Sequence, residues 1–329
     1  MDFIVSSTRE KLIALLSRHS NTFVSGQWLS EQLNVSRTAV WKQIKQLEED
    51  GYRFESIPNK GYRLIHQPDK VSENTIYWGL PTEWLGKQIE HYQMIDSTQT
   101  LALKRAQEGC EQGLVIISDK QTAGKGRRMR EWYSNNDDGI WLSFVIRPNL
   151  VPAQAPQLTL LTAIVLVKVI EATTGLKPKI KWPNDVLIGK KKVAGILTQA
   201  QAEHDHIHYA VIGIGLNVNQ TDFKLSEMKS YQATSLKIET NQTFLKTELI
   251  QLFLSHFESL YQIYLTEGFA PIKQKWLESA YRLGEQLCFK VNGVEKTGIF
   301  VDLSDDGCLI VEDDQQKREK LYSADINWF

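Results

Sequence analysis

The chain has 329 residues, and its 38 lysines and arginines nearly balance its 39 acidic residues, for a formal net charge of -1. Hydrophobic residues make up 42% of the sequence, which excludes a disordered or fibrous protein and supports more than one folded domain. The even balance argues against a nucleic-acid binder only if the charge is spread evenly along the chain. Charge counted by segment is therefore more informative than the total.

The cysteines and histidines predict neither a disulfide framework nor a metal site. The three cysteines are far apart and form no C-x-x-C pair. The alternating histidines could share one face of a strand, but no carboxylate or cysteine partner has a suitable spacing for a metal ion. The residues concerned are Cys110, Cys288, Cys308, His204, His206 and His208.

Two features predict a cytoplasmic protein with no membrane partner. The N-terminus lacks a basic segment followed by an apolar core, so it does not resemble a secretory signal. The longest apolar stretch, 158–167, is too short to cross a bilayer and predicts a buried helix instead.

The first segment, 1–66, predicts a winged helix-turn-helix domain. Apolar residues at helical spacing indicate three short helices, and Ser25 and Ser36 stand where the second and third would be capped. The third helix ends at Gly51, and two strand-like runs after it predict a hairpin. A linker, 67–70, separates this segment from the next.

The outer face of the third helix is predicted to bind DNA. Such a helix fits a major groove, with its N-terminal side chains at base edges and its lysines at phosphates. An ordinary solvated helix face is the alternative. The segment carries a net charge of only +2 (nine basic against seven acidic residues), which favours DNA binding reinforced by dimerisation. The predicted DNA-binding residues are Ser36, Arg37, Thr38, Trp41, Lys42, Lys45 and Lys60.

The second segment, 71–282, mixes strand-like and helix-like runs, which predicts an α+β domain with helices packed against a mixed sheet. The strand-like runs are 113–118, 140–146 and 209–214, and the helix-like runs are 158–171 and 243–266.

The last segment, 283–329, predicts a small β-barrel. Apolar residues alternate before Asn292-Gly293, a pair typical of two-residue hairpins, and Asp306-Gly307 marks another turn. Ten acidic residues against five basic ones between Glu285 and Asp325 give it a net charge of -5.

The densest chemical signal is the basic loop, Gln121–Trp132, which reads Gln-Thr-Ala-Gly-Lys-Gly-Arg-Arg-Met-Arg-Glu-Trp. Gly124 and Gly126 allow a sharp turn and a close approach of the backbone to a ligand. Four cations within 125–130 predict a shared anion, such as a phosphate or an acyl phosphate. The loop matches neither a P-loop nor a dinucleotide fingerprint. A solvated basic loop is the alternative.

Three further motifs accompany this loop. Asp96–Gln99 gathers hydrogen-bonding side chains just before a helix-like run. Lys181–Asp185, Lys-Trp-Pro-Asn-Asp, lies within 168–192, where seven lysines against two acidic residues leave a surplus of five positive charges. Gly213–Asn219 contains small residues that would leave room beside a flat ligand.

Together, and in this order, these motifs resemble those of the biotin–protein ligases. With the helix-turn-helix in front, the whole chain resembles the bifunctional bacterial members that are also biotin operon repressors. The resemblance implies a catalytic domain related to class II aminoacyl-tRNA synthetases and a C-terminal SH3-like barrel. It also implies that biotin, ATP and Mg²⁺ yield biotinyl-5′-AMP, and that biotin then passes to a lysine of a biotin carboxyl carrier protein domain. A homodimer in the adenylate-bound state would bind operator DNA.

The resemblance also implies roles for the matched positions, and it implies no metal ligand. The implied biotin-binding residues are Ser97, Thr98, Gln99, Gln121, Lys125, Gly126, Arg127 and Lys192. The implied nucleotide-binding residues are Arg130, Trp132, Lys181, Asn184 and Asn217. Arg127 and Lys192 are expected to be catalytic, and we add the hypothesis that Asp185 orients the acceptor amine or takes its proton.

Three positions depart from the family's usual pattern. Lys125 replaces an arginine and loses its bidentate fork, Met129 replaces a glycine and has less conformational freedom, and Gln199 stands where a glutamate is common. The first two leave open a non-catalytic transcription factor that senses biotin. A lipoate ligase-like enzyme and a ligase whose helix-turn-helix does not bind an operator are further alternatives.

Overall fold

The computed structural model describes residues 8–19, 22–203, 205–223, 233–291, 293–322 and 325–328. Within them, the strands form sheets of two, seven and five strands that follow one another along the chain. This order is the one predicted from the sequence.

The N-terminal domain is a helix-turn-helix followed by a hairpin wing, as predicted. Its elements are α1 (Thr8–Arg18), α2 (Gly26–Leu33), α3 (Arg37–Glu49), β1 (Arg53–Ile57) and β2 (Gly61–His66). The hydroxyls of Ser25 and Ser36 cap α2 and α3 by accepting backbone N–H groups of the first turn. The apolar faces of the three helices close on a common core around Leu12, Leu29 and Ile44.

A short helix, α4 (Glu73–Tyr77), joins this domain to the rest of the protein. Trp78 directly after it packs into the N-terminal core, with its ring centroid 5.5 Å from that of Tyr52. From the other side, the side-chain amide of Gln251 donates hydrogen bonds to the carbonyls of Ile76 at 2.8 Å and Trp78 at 2.6 Å. The junction is therefore held from both domains.

The central sheet is mixed, as predicted. Its order is β3-β4-β5-β9-β8-β7-β6, and only β3 and β4 run parallel. Every residue of β5 is buried, which agrees with its continuous apolar run. The strands are β3 (Gln88–Ile95), β4 (Leu114–Gln121), β5 (Gly139–Ile146), β6 (Lys179–Lys181), β7 (Asp185–Ile188), β8 (Lys191–Glu203) and β9 (His206–Asn217).

Helices cover both faces of this sheet. One face packs on α6 and α8, where the rings of Phe144 and Phe257 meet at 4.6 Å, and the other packs on α5. Along β4, Val115 and Ile117 join the first core whereas Leu114 and Ile116 join the second. The helices are α5 (Thr98–Gln107), α6 (Ala155–Thr174), α7 (Leu236–Thr240), α8 (Lys246–Glu267) and α9 (Ala270–Glu278).

The predicted buried helix is α6. Among the described residues, the stretch 152–174 is the one helix that length and composition would allow to cross a membrane, and 67% of its most apolar window is buried inside the protein. Its apolar surface is therefore used in the core.

The C-terminal domain is a five-stranded antiparallel sheet with the order β13-β12-β11-β10-β14. Val291 pairs with Val294 across the predicted hairpin turn, of which Asn292 lies outside the described residues. The domain packs on the central one, where the indole N–H of Trp182 donates to the carbonyl of Gly307 at 3.0 Å. The strands are β10 (Gln286–Val291), β11 (Val294–Leu303), β12 (Leu309–Glu312), β13 (Arg318–Leu321) and β14 (Asp325–Asn327).

Candidate active site and DNA-binding face

A cleft of about 1240 Å³ lies between the basic loop, the start of α5 and strands β5, β7, β8 and β9. The tertiary structure brings together in it every residue that the sequence analysis assigned to biotin, nucleotide or catalysis. These residues are Ser97, Thr98, Gln99, Gln121, Lys125, Gly126, Arg127, Arg130, Trp132, Lys181, Asn184, Asp185, Lys192 and Asn217.

One end of the cleft is lined by neutral hydrogen-bonding groups. The side-chain oxygen of Gln121 accepts the backbone N–H of Thr98 at 2.8 Å, and the amide nitrogen of Gln121 donates to Ser134 at 2.9 Å. The hydroxyl of Ser97 is buried and has no hydrogen-bond partner among the described residues. Since an unpaired buried hydroxyl is costly, this end is suited to a polar, uncharged ligand group.

The other end is built around a buried carboxylate. Asp185 is only 7% exposed, and its two oxygens lie 3.1 Å from Nζ of Lys181 and 2.7 Å from Nζ of Lys192. Burial alone would raise the pKa of the Asp185 carboxyl, but the charges and hydrogen bonds of Lys192 and Lys181 hold it below its usual value. Asp185 is therefore an anion that fixes both ammonium groups.

Arg127 and Asn184 connect the basic loop to this charged end. Nη1 of Arg127 donates to Oδ1 of Asn184 at 3.1 Å. Desolvation by surrounding atoms lowers the pKa of the Arg127 guanidinium, and so do the positive charges of Arg128 and Arg130. The negative charge of Asp185 partly opposes this lowering. A shared anion would relieve crowded cations of this kind, and the anion site expected from the sequence stays a prediction.

The basic loop folds back on itself. The backbone N–H of Gly126 donates to the carbonyl of Arg130 at 2.7 Å, and the N–H of Trp132 donates to the carbonyl of Gly124 at 2.9 Å. At its tip, Arg128 has φ 54° and Met129 has φ 59°, in the left-handed region that favours glycine. Met129, which replaces the family's usual glycine, therefore adopts a backbone conformation that a glycine would adopt at lower cost.

The glycines of β8 and β9 leave room for protein side chains as well as for the cleft. A Cβ on Gly195 or Gly215 would overlap the ring of Trp132, and one on Gly213 would overlap Oε1 of Gln99. The predicted role of the small residues in 213–219, to leave room beside a flat ligand, stays a prediction. The structure adds that the indole of Trp132 lies over Gly195 and Gly215.

Several residues of the cleft were missed by the sequence analysis. Ser143 lies in the apolar run of β5, where a single polar residue was the available signal. Ile326 and Trp328 reach the cleft from the C-terminal domain, and no local pattern in the sequence indicated this. Their contribution depends on how the domains pack.

Two of the three alternating histidines, His206 and His208, lie on β9. β8 ends at Glu203 and β9 begins at His206, while His204 lies outside the described residues. Nε2 of His206 lies 3.6 Å from Oδ1 of Asp205, and Nε2 of His208 lies 2.9 Å from Oε2 of Glu203. No group of three potential metal ligands of the His, Cys, Asp and Glu types is found in the ranges that the structure describes.

The predicted DNA-binding residues lie exposed on α3 and on the wing. Trp41 is 49% exposed, and Lys42 is open to solvent beside it. Lys45 is held 2.6 Å from Glu48, and the hydroxyl of Ser36 is used in capping α3. The remaining predicted residues, Arg37, Thr38 and Lys60, are also exposed.

Comparison with known proteins agrees with this architecture. The HTH domain family matches residues 8–63, the Biotin/lipoate A/B protein ligase family matches 91–217, and the Biotin protein ligase C terminal domain matches 283–327. The sequence is 42% identical to the bifunctional ligase/repressor BirA of Bacillus subtilis (strain 168), over 98% of each chain. The chain belongs to the bifunctional biotin ligase/repressor family.

Other relatives extend this result. The bifunctional ligase/repressor BirA of Escherichia coli (strain K12) is 29% identical over 92% of each chain. The structure of the biotin protein ligase from Aquifex aeolicus in complex with biotin and ATP superposes with a TM-score of 0.63 at 25% identity, covering 74% of this chain and 100% of that one. The predicted family, fold class and ligase and repressor functions are thus confirmed, whereas the roles of individual residues stay predictions.

Proposed function

We propose that the cleft binds biotin at its neutral end and the phosphates of ATP at its cationic end, and joins them as biotinyl-5′-AMP. The observation that carries this assignment is the pair of ammonium groups, from Lys181 and Lys192, that converge on the buried carboxylate of Asp185. Ser97, Thr98, Gln99 and Gln121 would contact the biotin rings. Lys125, Gly126 and Arg127 would close over biotin and the adenylate, and Arg130, Trp132, Lys181, Asn184 and Asn217 would shape the nucleotide side.

In the first step, a carboxylate oxygen of biotin bonds to the α-phosphorus of ATP, and the bond to the bridging oxygen breaks as pyrophosphate leaves with the electron pair. Both reactants are anions, so the fixed cations of Arg127, Arg130 and Lys192 would offset their repulsion. The mixed anhydride that forms is sensitive to water. A basic loop that closes over it would exclude water from the intermediate.

The described residues do not fit a metal ion held by the protein. No group of three His, Cys, Asp or Glu side chains that could hold a metal ion lies together among them. We therefore treat Mg²⁺ as part of the ATP–Mg substrate, bound through the phosphates.

In the second step, the neutral amine of an acceptor lysine attacks the acyl carbon, and AMP leaves with the electrons of the acyl–oxygen bond. The proton that the amine nitrogen loses passes to the departing phosphate of AMP or to water. A carboxylate whose pKa is held low takes up a proton poorly. Of the two roles that the sequence left open for Asp185, we therefore propose that it orients the amine. The acceptor would be a carrier domain of a biotin-dependent carboxylase.

The repressor function would need two copies of the chain. Residues 198–203 of β8 pair with β9 on one side, and no strand in the described part of the chain pairs with their other side. Such an edge is able to add a strand from a second copy. We propose that adenylate binding favours this homodimer and so places two α3 helices on a palindromic operator.

We also propose that the protein acts in the cytoplasm. Its three domains would span residues 1–66, 71–282 and 283–329.

The test is biotinylation of a purified carrier domain with biotin and ATP–Mg. The wild type is expected to label the carrier, and Lys192→Ala is expected to lose most of this activity. No labelling by the wild type would overturn the ligase proposal in favour of a biotin sensor. Preferential use of lipoate over biotin would overturn the substrate assignment. Operator binding that is unaffected by biotin plus ATP would overturn the regulatory proposal.

A further inference from the structure

Ser143 lies on β5 at the neutral end of the cleft and is completely buried. Its hydroxyl has two neighbours, Oγ1 of Thr98 at 2.9 Å and Oε1 of Gln99 at 3.1 Å. Three polar side chains in contact inside the protein must share their hydrogens consistently. What they offer to a ligand therefore depends on which of them donates.

Backbone groups fix the direction of the two amides beside these hydroxyls. The side-chain nitrogen of Gln99 donates to the carbonyl of Val211 at 3.3 Å, so its oxygen faces Ser143. The side-chain oxygen of Gln121 accepts the backbone N–H of Thr98 at 2.8 Å. Turning the Gln99 amide over would set its oxygen against the carbonyl oxygen of Val211. Turning the Gln121 amide over would set its NH2 group against the backbone N–H of Thr98.

With the amides fixed, the hydroxyl hydrogens can be assigned. Each hydroxyl has one hydrogen to donate. The Ser143 hydrogen goes to Oε1 of Gln99. The Thr98 hydrogen then goes to Ser143 at 2.9 Å rather than to Gln121 at 3.2 Å, because the two hydroxyl oxygens would otherwise face each other with no hydrogen between them. This leaves the Thr98 oxygen with lone pairs for a donor from the cleft.

We propose that Ser143 and Gln99 are positioning residues that hold the Thr98 hydroxyl as a hydrogen-bond acceptor, so that the cleft selects a ligand with an N–H group at this point. The inference rests on the proposed function, which places biotin here. The ureido ring of biotin carries two N–H groups, and the dithiolane ring of lipoate carries none. A ligand without the N–H leaves the buried Thr98 oxygen unpaired, which disfavours its binding.

Gln199 also contacts this group of side chains, through Gln99. Its side-chain oxygen accepts the amide of Gln99 at 3.0 Å. It therefore steadies the amide that orients Ser143, and it does so without placing a charge at this end of the cleft.

The test measures the binding of three ligands by calorimetry. They are biotin and two analogues in which one or the other ureido N–H is replaced by a ring oxygen. Ser143→Ala is expected to weaken biotin about tenfold, and to leave the affinity for one of the two analogues nearly unchanged. Ser118→Ala is the matched control, since Ser118 is a buried serine of β4 that donates to the carbonyl of Lys120 at 2.6 Å. It is expected to bind all three ligands as the wild type does.

The outcomes separate the alternatives. An equal loss for all three ligands in Ser143→Ala would overturn the inference, because it indicates a packing role. No loss for biotin would also overturn it, because Ser143 would then have no role in biotin binding. Gln99→Met removes the acceptor oxygen at similar length, and it is expected to show the same ligand dependence if Ser143→Ala does not fold. A wild type that fails to bind biotin would overturn the proposed function as well, and that result is visible before any variant is measured.

Discussion

Nζ of Lys192 lies 2.7 Å from Oδ1 of Asp185, and the two residues stand on neighbouring antiparallel strands, β8 and β7. The carboxylate is buried, whereas the ammonium is partly open to the cleft. The same ammonium lies 4.9 Å from the ring centroid of Trp132. The position of Lys192 is thus fixed from two sides, and its charge still faces the space where a ligand anion would bind.

Asp185→Asn is expected to lower the free energy of unfolding of the ligand-free protein by about 3 kcal/mol, because Lys181 and Lys192 would lose their shared counter-charge in a buried site. Urea unfolding measures this change. The control is Glu108→Gln, which removes a half-exposed partner of Arg105 and is expected to cost under about 1 kcal/mol.

Asp185→Asn is also expected to slow biotin transfer from preformed biotinyl-5′-AMP to a carrier domain, because the amine would lose the group that orients it. Single-turnover transfer from isolated adenylate measures this step without the first one. Near-normal transfer would contradict the orienting role of Asp185.

The stabilisation by Asp185 is expected to depend on pH in one direction. Since the folded-state pKa of its carboxyl is lowered, the stabilisation is complete above the unfolded pKa of about 4 and is lost as the pH falls through the folded value. The difference in unfolding free energy between the wild type and Asp185→Asn should therefore stay constant from about pH 7 to 5 and shrink below about pH 4. A decline that is already evident at neutral pH would contradict this cause.

Gly215→Ala is expected to displace the Trp132 ring, because the added Cβ would overlap it. Weaker binding of ATP, by about tenfold, and a changed tryptophan fluorescence should follow, since a base-stacking aromatic contributes about 1–3 kcal/mol. Gly26→Ala is the control, since its nearest contact is a Tyr62 ring carbon at 3.5 Å. An unchanged ATP affinity in Gly215→Ala would contradict the placement of Trp132 on the nucleotide side.

Met129→Gly is expected to stabilise the basic loop in its folded-back form by about 1 kcal/mol, because a glycine has no steric cost at φ 59°. Hydrogen exchange at the N–H of Gly126, which donates to Arg130, should slow accordingly. Gln316→Gly relieves a similar φ of 62° in the C-terminal domain and should leave this exchange unchanged. Faster exchange in Met129→Gly would contradict the argument.

Lys42→Ala is expected to weaken binding to the promoter of the biotin genes and to reduce the slope of log K against log salt by about one, because one phosphate contact is lost. Biotinylation of the carrier should be unchanged. Lys104→Ala, on α5, is the control for removing one exposed lysine. A salt slope equal to that of the wild type would contradict a phosphate contact by Lys42.

Much of the fold could be predicted from the sequence because its signals are local. Serine caps, the apolar face of α3 and the turn before Val294 each act within a few residues. The same is true of the buried run of β5. The motifs were visible because they too are local. Glycines and clustered cations suit a ligand by their residue types, wherever in the fold they lie.

The near-zero net charge concealed a segregation that the sequence alone revealed, with a surplus of five positive charges in 168–192 and a net charge of -5 in 285–325. Only the tertiary structure decided how these charges are used. It buried Asp185 between two lysines, laid Trp132 over Gly195 and Gly215, and set Ser143 against Thr98 and Gln99. Those contacts depend on strand register and on packing between distant segments, and no local pattern in a sequence determines either.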